Sequence, residues 1–392
     1  MTKINNAMQS VIDSDKYLAE ALELNDFMAR NPELSGKEYE SSKKIVNLLE
    51  SKGIPVEYPY ANLDTAFKGT IYGADKNGPK ICIMAEYDAL PRVGHGCGHS
   101  ASGSITVLAA LILNDLREYF NGQIDILGTP DEEVMGGKIT MANEGIFNDY
   151  DYAIMMHMNS YSSPNSKFLA MEGLTIEFFG KAAHAAAAPW EGRNALNAMQ
   201  LFFHSLDMMR QHVKPDVRIH GIIKEGGTAP NVVPDYSLCE LYIRGLELSY
   251  VEEIKAWVND CAKAAAMATR TQEKVGVLCP TLKDIAPNRY AEEALTEKFE
   301  QYNIKVVPVD EPMGSSDIGE VDYICPAFHP LMCVKENLSL HTKEFADEML
   351  TENGHNAIKN GGKIIASFVL ETLLDNELLK NIKDEYRKIR NK

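Results

Sequence analysis

With 392 residues, the chain is too long for one ordinary core and suggests two or three domains. Its 45% apolar and 24% charged residues are globular values, and a formal net charge of −17 argues against a nucleic-acid or anionic-membrane partner. Seven scattered cysteines do not make a disulfide framework, and neither a signal core at Met1 to Glu20 nor a span-length apolar run occurs, which fits a reducing cytoplasm.

Taken in order, residues 14–53 read as two helices. Tyr17, Leu18, Ala21, Leu22, Leu24, Phe27 and Met28 form one apolar stripe, and Asn31-Pro32 breaks it. A second stripe runs from Tyr39 to Leu49. Two short strands are expected within 54–73. A buried strand follows at 80–85, and it ends abruptly in Glu86, Asp88 and Pro91. His95, Cys97 and His99 then alternate with Gly94, Gly96 and Gly98. In extended backbone, alternate side chains face one way, and the glycines allow close approach. Thiolate and imidazole together suit a first-row divalent metal.

Ser100 or Ser102 can cap a helix from about 104 to 118. A strand at 123–127 delivers Gly-Thr-Pro-Asp-Glu-Glu at 128–133, and a helix through Ile139 and Met141 follows. A third strand at 151–156 delivers His157. Strands separated by helices predict a mainly parallel sheet, whose ligands sit beyond the carboxyl ends. From about Glu172 the order changes to β-α-β-β-α-β, which predicts an antiparallel sheet with two helices on one face. The α/β pattern returns near Asn288 with a helix at 290–302, a strand at 305–309 and the loop Gly314 to Gly319. His341 lies in a polar segment before C-terminal helices at about 351–374 and 376–389.

Asp88, His95, Cys97, His99, Glu132, Glu133, His157 and His341 therefore gather at strand ends. Each alone would be ordinary: a hydrogen-bonded core histidine, a loop residue, or a favourable acid at a helix start. Together they offer the N, S and O donors of a catalytic metal site with a neighbouring base. Of Glu132 and Glu133, one would bind metal and the other act as base. Spacing does not say which.

The chain resembles the dinuclear metal-dependent aminoacylase/carboxypeptidase metallopeptidases. It is most similar to the amidohydrolase branch, with aminobenzoyl-glutamate hydrolase, hippurate hydrolase, auxin-conjugate hydrolases and β-alanyl dipeptidase-like enzymes. The resemblance rests on Ala-Glu-Tyr-Asp-Ala-Leu-Pro (85–91), Gly-His-Gly-Cys-Gly-His (94–99), Gly-Thr-Pro-Asp-Glu-Glu (128–133) and Met-His-Met-Asn (156–159). Further along it rests on Gly-Lys-Ala-Ala-His-Ala (180–185), Gly-Gly-Thr-Ala-Pro-Asn-Val-Val-Pro-Asp (226–235) and His-Thr-Lys-Glu-Phe (341–345).

The resemblance implies an α/β fold: a mainly parallel-sheet catalytic domain at 1–172 and 287–392, with an inserted ferredoxin-like α+β dimerisation and lid domain at 173–286. It implies Cys97, His99, Glu133, His157 and His341 as ligands of two divalent ions, zinc or manganese, with Cys97 bridging. It leaves His95 and Glu86 without a metal role. Glu132 would be the general base toward a metal-bound water, and Asp88 would orient the ligands. His184, reaching the partner subunit's site, would polarise the scissile carbonyl. Asn231 and Arg244 would hold a substrate carboxylate. The implied activity is hydrolysis of the amide of an N-acyl amino acid or dipeptide by a homodimer. A non-catalytic metal- or peptide-binding protein on the same scaffold is the alternative. A nucleobase deaminase would need a Cys-x-x-Cys pair, which the chain lacks. Ser100 and Asp131 depart from the family pattern but remove neither a ligand nor the base.

Overall fold

The computed structural model describes residues 4–308, 312 and 314–390. The chain divides into two compact units, Met1–Lys167 with Ile285–Lys392, and Phe168–Asp284. The boundaries fall a few residues before those expected at 173 and 287; the first does so because the opening strand of the insert already begins at Ala170.

The first unit opens with α1 (Asn6–Asp13), α2 (Leu18–Arg30) and α3 (Tyr39–Ser51). Helix α1, capped by the Asn5 side chain, was not expected from the sequence; it is only two turns long. Next come β1 (Val56–Glu57), β2 (Phe67–Tyr72), β3 (Lys80–Ala85), α4 (His99–Asp115), β4 (Gln123–Gly128), α5 (Gly137–Asn143), β5 (Tyr152–Ile154) and β6 (His157–Asn159).

Helix α4 starts earlier than expected, and neither Ser100 nor Ser102 caps it. Its N-cap is Gly98 with φ 81°. A Cβ there would stand 2.5 Å from the Met158 side chain, so glycine is required on both conformational and steric grounds. The expected strand at 151–156 is two strands, because Met155 and Met156 bend the chain out of the sheet before His157.

The insert contains β7 (Ala170–Phe179), α6 (Ala195–Met209), β8 (Arg218–Glu225), β9 (Tyr236–Gly245), α7 (Leu248–Thr269) and β10 (Gln272–Leu282). Its sheet is antiparallel in the order β10-β7-β9-β8. Burial alternates strictly along β9, and the inward residues meet Met199, Phe202, Val258 and Ala262 of the two helices. Strand β8 is the outer edge and is largely exposed, including Ile222 and Ile223.

The first unit resumes with α8 (Arg289–Gln301), α9 (Ile318–Asp322), β11 (Ala327–Phe328), β12 (Leu331–Cys333), α10 (Lys343–Glu348), α11 (Glu352–Leu374) and α12 (Asn376–Arg390). The strand expected at 305–309 reduces to one bridge between Val306 and Ser162, and Val309 lies outside the described residues. The main sheet has the order β1-β2-β4-β3-β5-β11. Its four strands β4, β3, β5 and β11 are mutually parallel, and β2 and β1 close one edge antiparallel. The parallel strands are apolar and buried, as covered parallel sheets require. Helix α4 is buried on nearly every side and packs on α11. Gly361 and Gly362 of α11 let the two helices meet: a Cβ on either would lie 2.5 or 2.6 Å from Ile105 or Leu108. The carboxyl ends of β3, β4 and β11 thus open on one side, where α4 begins.

Candidate metal centre

Strand β3 ends at Ala85, and Glu86 and Asp88 follow, each 1% exposed. Strand β4 ends at Gly128 and delivers Glu132 and Glu133. His157 opens β6, which β12 holds in parallel register; its N–H donates to the Pro330 carbonyl at 2.9 Å. His341 comes from a distant loop whose backbone N–H donates to the Gly96 carbonyl at 2.9 Å. Gly96 permits this approach, since a Cβ there would stand 2.6 Å from Val93 and 3.3 Å from the His341 Cα. The glycines between His95, Cys97 and His99 therefore serve close chain approach, although Gly98 belongs to a helix start instead of an extended run.

Seven of the expected residues come together. Donor atoms of Cys97, His99 and His157 lie within 4.8 Å of one another, and so do those of Cys97, Glu133 and His341. These two triads share Cys97. A third grouping, His99, Glu132 and Glu133, ties them to the expected base. Asp88 braces the cluster: one oxygen lies 2.9 Å from His99 Nδ1, and the other accepts from the Ser35 hydroxyl at 2.7 Å and the Glu133 N–H at 3.1 Å.

The hydrogen bonds decide which imidazole nitrogens are free. His99 Nδ1 faces only acceptors, the Asp88 carboxylate and carbonyl, so it keeps its proton in either state, and in the neutral ring the lone pair is on Nε2, which lies 3.3 Å from Glu86 Oε2. His157 Nδ1 faces the Met158 carbonyl at 2.7 Å, which leaves the lone pair of the neutral ring on Nε2. His99 Nε2 and Glu133 Oε1 are buried without a hydrogen-bond partner. Buried polar atoms are rarely left so, and here several converge on one point, as a cation site requires.

The electrostatics agree. Burial opposes ionisation of Asp88, but His99 and the donated hydrogen bonds hold its carboxyl well below the usual range. Burial likewise opposes a charged His99, yet the Asp88 and Glu86 carboxylates raise its pKa well above the ordinary value. Burial and then the nearby glutamates push the Cys97 thiol far up. A pocket that favours a proton on His99 and refuses a bare thiolate is one that a divalent cation would complete, because metal binding reverses both preferences. Burial, then Glu86 and Asp317, raises Glu132, with Lys138 pulling the other way.

The profile of peptidase family M20/M25/M40 matches residues 82–371. The chain belongs to this family. It is a metallopeptidase-type hydrolase of peptide or amide bonds. Among curated relatives, a Xaa-Arg dipeptidase of Mus musculus is 30% identical over 91% of this chain and 86% of its own length. A p-aminobenzoyl-glutamate hydrolase subunit of Escherichia coli K12 is 26% identical over 99% of this chain and 96% of its own. In structure, a dinuclear metal-binding M20 peptidase of Bacillus subtilis superposes with a TM-score of 0.72 at 20% identity, covering 92% of this chain and all of the other. An aminobenzoyl-glutamate utilisation protein from Klebsiella pneumoniae gives 0.72 at 17% identity, covering 93% and 98%.

Within this M20 chain, His184, Asn231 and Arg244 lie in the insert. His184 and Asn231 are neighbours there: His184 bridges to Val232, and the Asn231 carbonyl accepts from Ala185 N–H at 2.9 Å. His184 Nδ1 accepts from the N–H groups of Ala186 and Ala187, at 3.2 and 3.1 Å. The proton of its neutral ring is therefore on Nε2, where it can be donated. Arg244 stands apart on β9, its Nε without a hydrogen-bond partner. The two departures have local explanations. Asp131 takes φ 62° and accepts from Met135 N–H, bending the turn before Glu132. Ser100 donates its N–H to His95 Nδ1, and His95 joins neither donor triad.

Sequence reasoning missed a second polar group. Glu86, left without a metal role by the resemblance, pairs with Lys138 at 2.5 Å, and Lys138 pairs with Asp317 at 2.5 Å. A lysine in the first turn of a short apolar helix carries no signal of burial, yet Lys138 is 0% exposed. His329, at the end of β11, also stacks on His157 with centroids 5.2 Å apart.

Proposed function

We propose that this enzyme hydrolyses the amide bond of an N-acyl amino acid or dipeptide with a free carboxylate, using two divalent ions held by Cys97, His99, Glu133, His157 and His341. The observation that carries this reading is the pair of donor triads sharing Cys97, with Glu132 beside them. The thiolate leans toward zinc, and manganese also suits the carboxylate and imidazole donors. When bound, the ions supply Lewis acidity toward water and the scissile carbonyl.

The protein residues then divide the proton work. Glu132 takes a proton from the attacking water and returns one to the departing amine. Asp88 fixes the His99 ring through Nδ1. His184 donates from Nε2 to the carbonyl oxygen as it gains charge. Arg244 offers a planar fork, and Asn231 an amide, to the substrate carboxylate. The names of the mouse and bacterial relatives support such substrates, since Xaa-Arg and p-aminobenzoyl-glutamate both join an amide to an amino acid with a free carboxylate.

A homodimer through the insert is part of this reading. The exposed edge strand β8 with Ile222 and Ile223, and exposed Leu201 and Met208 on α6, support it, because an uncovered edge invites pairing. Seven unpaired cysteines support a reducing compartment such as the cytoplasm. Among the described residues no helix is long and apolar enough to cross a membrane.

The test is Glu132→Gln assayed on p-aminobenzoyl-glutamate, N-acyl amino acids and dipeptides, with metal content measured in parallel. The variant is expected to keep its metal and to lose roughly 10³-fold in kcat, near the upper range for a general base. Parent-like turnover by the variant would overturn the mechanism.

A further inference from the structure

Four buried polar side chains beside the cluster have no part in the reaction above: Glu86, Lys138, Ser316 and Asp317. The Lys138 ammonium lies 2.5 Å from both Glu86 Oε1 and Asp317 Oδ1, and the Lys138 N–H donates to Asp317 Oδ2 at 3.0 Å. Asp317 is thereby held at both carboxylate oxygens. Ser316, its chain neighbour, donates its hydroxyl to Glu132 Oε1 at 2.8 Å.

Glu86, Glu132 and Asp317 each bring an oxygen within 4.8 Å of the others. Three carboxylates so close repel, and the last torsion of a glutamate is broad, so nothing intrinsic keeps Glu132 in one orientation. We infer that Ser316, anchored through Asp317 and Lys138, is a positioning residue that fixes the general base Glu132. Its hydroxyl occupies Oε1 and leaves Oε2 to take the proton from water. Lys138 stands one step back, where its charge offsets Glu86 and Asp317 and holds the loop that carries Ser316.

This inference rests on Glu132 as the base, and the experiment separates the two. Full-length Ser316→Ala, Ser316→Thr and Glu132→Gln are compared with the parent on p-aminobenzoyl-glutamate and the dipeptide Ala-Arg. Metal content, melting temperature and a crystal structure of each variant accompany the kinetics. Ser316→Ala is expected to lose roughly tenfold in kcat, with KM within about twofold and metal content and melting temperature unchanged. Glu132 should take a different rotamer in its crystal structure, and Ser316→Thr, which keeps the hydroxyl, should recover most of the rate. Parent-like kcat in Ser316→Ala while Glu132→Gln is inactive overturns the positioning role alone. A rate loss that follows metal loss or a lowered melting temperature, and that Thr does not restore, overturns it as well. Parent-like turnover in Glu132→Gln overturns the base assignment and this inference with it.

Discussion

The candidate residues of the catalytic unit and those of the insert sit in opposite settings. Asp88, Cys97 and His99 are buried, and the nitrogen of His99 that does not face the cluster is already engaged. His184 and Asn231 are exposed, and their anchoring is almost wholly to backbone. Arg244 keeps a buried Nε with no partner. The first setting fixes atoms before anything binds, at the cost of crowded charge. The second leaves donors available. That contrast matches the proposed division of labour, in which one unit holds the ions and the base and the other completes recognition of the substrate.

Variants can break or sharpen this contrast. The largest effect is expected from Cys97→Ala. It removes the donor common to both triads, so metal content should fall at both sites and kcat by more than roughly 10³-fold, as for loss of a catalytic metal. Retention of two ions, measured by elemental analysis, would show that Cys97 is not shared. His184→Ala should lower kcat by about 10²-fold, the scale of one lost oxyanion donor, with metal content and melting temperature unchanged. Mixing it with Glu132→Gln tests the dimer directly. If His184 serves the partner's site, hybrid dimers regain one complete site and activity returns. If it serves its own chain, they regain none.

Arg244→Lys should act mainly on KM, raising it about tenfold, because a lysine replaces a bidentate fork by a point charge. An equal fall in kcat with KM unchanged would place Arg244 in the chemistry instead. The smallest effect is expected outside the donor groups, at Glu38. Its Oε1 accepts the N–H groups of Gly36 and Asp131, and its Oε2 accepts the Thr65 hydroxyl, so it braces the turn before Glu132. Burial, partly offset by these hydrogen bonds, pushes its pKa up from 4.5 to about 7. A raised folded value means that the linked stability is present below about 4.5 and is lost as pH rises through about 7. Glu38→Gln can keep the accepting oxygen and donate to Thr65. It should therefore flatten the pH dependence of melting over that interval, by on the order of 1 kcal/mol per pH unit at most. An unchanged slope in thermal melts would contradict the assignment.

Much of the fold was legible because periodicity reports burial. The apolar runs of β3 and β4, the alternation along β9 and the amphipathic stripes of α2 and α6 each state their own environment. Helix starts were less legible. His99 to Gly103 are polar or small, and their helical state is fixed by Gly98 and by packing against β3, not by a capping side chain. The short strands β6, β11 and β12 exist through pairing with distant partners, which no local pattern records.

The same distinction runs through the site. The order Glu86, Asp88, Cys97, His99, Glu132, Glu133, His157 and His341 by itself determined that divalent-metal chemistry was in reach, because ligand chemistry belongs to residue type and parallel strands deliver their ends to one side. The resemblance already implied Cys97 as a shared donor; tertiary structure alone decided which atoms gather around it and which imidazole nitrogens are free. It also decided that Lys138, Ser316 and Asp317 stand behind Glu132. A hydrogen bond between residues 184 positions apart, such as that of Ser316 to Glu132, depends on how the loops are folded onto the sheet, and spacing along the chain carries no trace of it.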